Sequence, residues 1–125
     1  MSVQLTTQEK DGVMIVGASG RLTLGEGTSA LRKRIRELVD AGSRRIVLNM
    51  ADVTYIDSSG VGELVAAYTT VAAAGAELKL SVLGKRVHEL LYITKLYTVF
   101  ESFEDESSAI ASFSVAKPTG LQAQI

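Results

Sequence analysis

A chain of 125 residues with a formal net charge of −1 and no cysteine fits one domain with a real core. It excludes disulfide scaffolds, thiolate metal sites and cysteine nucleophiles, and a reducing, cytoplasmic setting is the expected one. Its N-terminus, MSVQLTTQEKDG, has no basic segment followed by an apolar one, and no apolar run is long enough to cross a bilayer, so neither secretion nor membrane insertion is expected.

The first predicted elements are two strands, residues 3 to 8 and 13 to 18, separated by EKDG. Its Asp11 and Gly12 are a tight-hairpin signal and predict an antiparallel pair. From Gly27 to Ala41, Leu31, Ile35, Leu38 and Val39 recur at helical spacing while Arg32, Lys33, Arg36 and Glu37 fill the opposite face, and Gly42 marks the helix end. The basic stretch RKRIRE, residues 32 to 37, lacks interleaved aromatics and reads as a solvated helix face, so no nucleic-acid partner is expected. RRIVLNM, residues 44 to 50, is short and β-branched and reads as a strand buried on both faces of a mostly parallel sheet.

The run VTYIDSSGVGELV, residues 53 to 65, follows. A second amphipathic helix runs from Val61 through Leu64, Val65, Tyr68, Val71 and Ala72 to Gly75. AELKLSVL, residues 76 to 83, alternates as a strand. GKRVHELLYITKL, residues 84 to 96, sets Val87, Leu90, Leu91 and Thr94 on one side of a third helix. TVFESF, residues 98 to 103, predicts a last edge strand and DESSAIASF, residues 105 to 113, a closing helix. SVAKPTGLQAQI has the only proline and little periodicity, giving a domain over residues 1–114 and a flexible tail over 115–125. The order of strands and helices predicts an α/β fold, a mixed sheet of about five strands with helices packed against it.

Residues 57 to 60 therefore fall at the carboxyl end of a central strand and the start of a helix, the edge where open α/β sheets meet ligands and partners. Unpaired N–H groups and the helix dipole favour anions there, and Gly60 and Gly62 would let another backbone approach. The plainer reading is that Ser58 or Ser59 caps the helix, Asp57 favours its dipole, and the glycines shape a turn. The sole histidine, His88, reads as a surface or half-buried residue, and no serine elbow supports a hydrolase triad. A receiver domain would need an acidic pair at the end of the first strand, which MIVGAS lacks; no phosphate loop, dinucleotide fingerprint or metal spacing is present, so no cofactor is expected. Tyr55, Tyr68, Tyr92 and Tyr97 are scattered and read as core or half-buried residues.

The segment IVLNMADVTYIDSSGVGELV, residues 46 to 65, resembles the signature of anti-sigma factor antagonists, the small single-domain members of the STAS family. The hairpin with GRL at 20 to 22, AAAGAELKL and VHELLYITKL also fall where that family has comparable segments. The resemblance implies a STAS-like domain and a partner switch. The unphosphorylated protein would bind an anti-sigma factor serine kinase and free the sigma factor. Phosphorylation of the serine after the aspartate, here Ser58, would cancel that binding, and a metal-dependent serine phosphatase would restore it. The chain would be the substrate of both enzymes and an enzyme in neither step.

The resemblance makes Asp57, Ser58, Ser59 and Gly60 candidate partner-binding residues. Thr23 joins them, because TLGEGT, residues 23 to 28, adjoins the kinase-facing surface in the family. That stretch is longer by about one residue and richer in glycine than usual, which implies a remodelled, mobile loop. The family's acidic pattern after Gly20 is replaced by Arg21, Leu22 and Thr23, and Thr23 with Glu26 has capping-box spacing. The alternatives are a non-switching scaffold subunit of a stress-signalling or lipid-transport complex, and a small-ligand binder at the same strand edge.

Overall fold

The computed structural model describes residues 3–23 and 26–114. Strands β1 (Gln4–Lys10) and β2 (Val13–Leu22) form the expected hairpin, with Asp11 and Gly12 at φ 54° and 79°. Two successive positive φ values give the turn a twist that matches the strands. Helix α1 (Glu26–Asp40), strand β3 (Arg45–Ile56), helix α2 (Ser58–Ala73), strand β4 (Glu77–Ser81), helix α3 (Lys85–Ile93), strand β5 (Ser102–Phe103) and helix α4 (Glu106–Ser114) follow. The five strands lie in the order β1-β2-β3-β4-β5, antiparallel only between the first two.

Three successive β-α-β crossovers step across this sheet in one direction, and the right-handed rule then puts α1, α2 and α3 on one face. The alternation of the strands agrees. Ile46, Leu48 and Met50 of β3 share a core with Leu31 and Ile35 of α1, Leu64 and Val71 of α2, and Val87 and Leu91 of α3. Val47 points the other way and joins Val13, Ile15 and Ala109 of α4 in a smaller cluster. Both α1 and α2 end on a glycine-assisted turn. Ser43 N–H reaches the Leu38 carbonyl beyond Gly42, and Ala76 N–H reaches that of Val71 beyond Gly75.

Several expectations change. β3 runs six residues past Met50, because two one-residue bulges keep it paired to β2: Gly17–Ser19 lies opposite Asn49–Asp52 and Gly20–Arg21 opposite Val53–Tyr55. α2 begins at Ser58 rather than Val61. The predicted edge strand shrinks to two residues: Leu96–Thr98 form a 3-10 turn and Phe100 turns inward, edge-on to Tyr68 with ring centroids 5.6 Å apart. Thr94, expected on the buried side of α3, is exposed and bonds back to the Leu90 carbonyl at 2.7 Å. Tyr92 and Tyr97, expected in or near the core, are 71% and 54% exposed and stack on each other, and Tyr55 is also exposed. His88 is on the surface of α3, as expected. The tail expected over 115–125, and Leu24, Gly25 and the Glu26 side chain of the expected loop and capping box, lie outside the described residues.

Candidate functional site

The carboxyl edge of the sheet is built by the ends of β2 and β3 and the first turn of α2. Asp57 leaves β3 with extended backbone, and its Oδ1 accepts a hydrogen bond from the Gly60 N–H at 3.0 Å. Asp57 is thus the N-cap, and its carboxylate satisfies one of the four N–H groups that a helix start leaves unpaired. The expectation that Ser58 or Ser59 caps the helix is corrected. With the cap one residue earlier, Ser58, Ser59 and Gly60 are helical, and the Ser58 side chain stands exposed on the first turn. Among the described residues no hydrogen bond engages its hydroxyl.

The two glycines of the motif have different work. Gly60 is buried, and a Cβ there would overlap the Leu22 carbonyl oxygen and come within 2.7 Å of Ile56 Cγ1. The backbone that approaches Gly60 is the chain's own, at the end of β2. A Cβ at Gly62 would meet nothing within 4 Å, so the open surface lies there, one helical turn beyond Ser58. Thr23, half-buried, follows Leu22 directly and so sits beside the start of α2. Thr23, Asp57, Ser58, Ser59 and Gly60 are therefore one neighbourhood, with Gly60 as its floor.

Two contacts at this edge were outside the reach of sequence reasoning. Arg21, near the end of β2, lies over the exposed Tyr55 ring at 4.9 Å from its centroid. Arg32, expected on a solvated face, reaches from α1 to Glu63 of α2; its Nε donates to Oε1 at 3.1 Å and its NH2 to Oε2. Glu63 is nearly buried while Arg32 stays exposed. The carboxylate raises the Arg32 pKa above its ordinary value, first by hydrogen bonding and then by charge attraction. The only legible signal was a glutamate at i+4 from Ser59 on a helix whose neighbour was basic. Among the described residues no three histidine, aspartate or glutamate side chains are grouped to hold a metal ion, and no helix is long and apolar enough to cross a membrane.

The family model for the STAS domain matches residues 4–109. An anti-sigma F factor antagonist of Paenibacillus polymyxa is 26% identical over 116 residues, covering 92% of this chain and 98% of that protein. An anti-sigma factor antagonist from Mycobacterium paratuberculosis superposes with a TM-score of 0.76 at 21% identity, over 89% of this chain and 93% of that one. The Bacillus cell fate determinant SpoIIAA in its phosphorylated form superposes with a TM-score of 0.70 at 17% identity, over 88% and 99% of the two chains. At such identities the superpositions establish a common fold.

Proposed function

Since the chain belongs to the STAS domain family, we propose that it is an anti-sigma factor antagonist whose binding to an anti-sigma factor serine kinase is switched by phosphorylation of Ser58. The observation that carries this reading is the position of Ser58: exposed, on the first turn of α2, beside an aspartate that already performs the capping. A phosphoryl acceptor must be reachable by a second active site, and its modification must leave the domain folded. Ser58 meets both needs, because its hydroxyl is not used by the fold and the N-terminal end of a helix dipole favours an added anion.

The unphosphorylated surface of Thr23, Asp57, Ser58, Ser59 and Gly62 docks the kinase, and the sigma factor held by that kinase is released. A phosphoserine adds roughly −1.5 to −2 charges. In an interface from which water is excluded, that charge faces the Asp57 carboxylate and weakens docking by repulsion and desolvation. A serine phosphatase reverses the change. The chain is substrate to both enzymes and performs no catalysis itself. The likeness to a phosphorylated SpoIIAA supports the reading.

The test is direct. The purified chain is incubated with ATP and candidate anti-sigma factor serine kinases, and the phosphate is mapped by mass spectrometry. Phosphate on Ser58, lost in Ser58→Ala and kept in Ser59→Ala, is the expected result; phosphate on Ser59 or elsewhere refutes the assignment, and no transfer from any such kinase favours a non-switching scaffold.

A further inference from the structure

Among the described residues, the face of the sheet away from α1–α3 is covered by one short helix, and the contacts beneath it are of an unusual kind. Lys79 lies in the middle of β4 and is 2% exposed. Its Nζ donates to Ser112 Oγ of α4 at 2.7 Å, stands 3.4 Å from Glu101 Oε1, and lies over the Phe113 ring at 4.2 Å and the Phe103 ring at 5.7 Å. At the other end of α4, Glu106 accepts from Asn49 Nδ2 of β3 at 2.8 Å and pairs with Lys10 of β1 at 2.8 Å. Ser81, two residues beyond Lys79 on the same face of β4, buries a hydroxyl that has no hydrogen-bond partner.

The apolar hold is slight by comparison. α4 gives the core one fully buried side chain, Ala109, with Ile110 and Phe113 half-buried over Val13, Ile15 and Val47. α2, on the opposite face, buries Val61, Leu64, Ala67 and Val71. An open pocket of about 610 Å³, lined in part by Lys10, Val13, Arg45, Ile110 and Phe113, lies between α4 and the hairpin turn. Apolar burial scales with area, so α4 is held by less apolar contact than α2. Burying an ammonium costs hydration that one hydroxyl, one largely exposed carboxylate and two ring faces return only in part. Lifting α4 takes the Ser112 and Phe113 contacts away from Lys79, opens its ammonium to water and breaks no sheet pairing.

We propose that α4 is a releasable cover: it lifts from the second face of the sheet as a unit while the sheet and α1–α3 stay folded, and Lys79 keeps its hold weak. The open form bares a strip of Val13, Ile15 and Val47 edged by Asn49, Lys79 and Ser81, on the face opposite the helices that carry the Ser58 edge. Small cooperative units that open below the global unfolding transition are drawn from segments with few buried apolar contacts, which describes α4.

Native-state hydrogen exchange on the full chain tests this. In the wild type the amides of Ile110–Phe113 should exchange at least tenfold faster than those of Val47 and Leu48. Val71→Ala, which weakens the opposite core, should speed exchange at Val47 and Leu48 and leave α4 unchanged within twofold. Lys79→Met should slow α4 exchange about tenfold, and Ser112→Ala, which removes a partner of the buried ammonium without altering the strand, should speed it severalfold. One common rate for α4 and β3 that moves as a whole in Val71→Ala overturns the proposal. So does faster α4 exchange in Lys79→Met; if that variant does not fold, unchanged α4 exchange in Ser112→Ala overturns it.

Discussion

At the scale of single residues, the motif separates into positions that build the edge and positions that face outward. Gly60→Ala forces a Cβ into the Leu22 carbonyl, which is backbone and cannot rotate away, so a loss of roughly 3 kcal/mol or more is expected, and Gly60→Val should not fold. Gly62→Ala has open space and a better helix propensity, so it should raise stability by about 0.5–1 kcal/mol. Thermal melts of the variants check the contrast. Lys95, just past the Thr94 cap of α3, has φ 64°, in the left-handed region that costs a side-chain-bearing residue about 1 kcal/mol. Lys95→Gly should therefore raise the melting temperature by a few degrees. The cap was half legible: an aspartate before a helix is an N-cap signal, yet Ser-Ser-Gly has loop composition and hid the first helical turn. That Gly60 meets Leu22, nearly forty residues earlier in the chain, has no local trace in the sequence.

At the scale of elements, periodicity found the helices because each buries one stripe, and Leu31, Ile35, Leu64, Val71, Val87 and Leu91 are all buried as their spacing demands. It shortened β3 because the bulges break alternation where ADVTYI follows the buried strand. It overextended β5 because a β-branched and aromatic run does not reveal that Phe100 packs on Tyr68. The clasp between α1 and α2 was invisible for the same reason: nothing local couples Arg32 to Glu63. Arg32→Ala leaves Glu63 nearly buried without its cation and should lower the melting temperature, whereas a second change, Glu63→Gln, should recover part of the loss by removing the stranded charge. Scanning calorimetry of the single and double variants would reveal the coupling, and additive effects would deny it.

At the scale of the molecule, the order of elements was enough for the α/β layering, since strands alternating with helices leave few right-handed arrangements. The division into a deep core under α1–α3 and a thin, polar one under α4 was not, because a lysine in an alternating strand looks solvent-facing until a later helix covers it. That thin side should be the one that weakens in acid. Hydrogen bonds first from Lys10 and then from Asn49 hold the Glu106 pKa below its ordinary value of 4.5. A carboxylate with a depressed folded-state pKa contributes stability in full above its unfolded pKa. The contribution is lost as pH falls below about 4.5 and through the folded value. Glu106→Gln should therefore be less stable than the wild type at neutral pH by denaturant melts, with a difference that shrinks as the pH falls below about 4.5; a difference that stays constant as the pH falls would contradict the assignment.

We propose that the Ser58 edge switches a partner by charge while the fold stands unchanged. Calorimetric titration of Ser58→Asp against the anti-sigma factor kinase that phosphorylates the wild type, on material whose thermal melt is recorded first, tests it most directly. An added carboxylate at the first turn of α2 should leave the melting temperature within a few degrees of the wild type. It should weaken binding at least several-fold, on the order of 1 kcal/mol or more. Ser58→Ala should bind as the wild type does. A folded Ser58→Asp protein that binds with undiminished affinity would contradict the account.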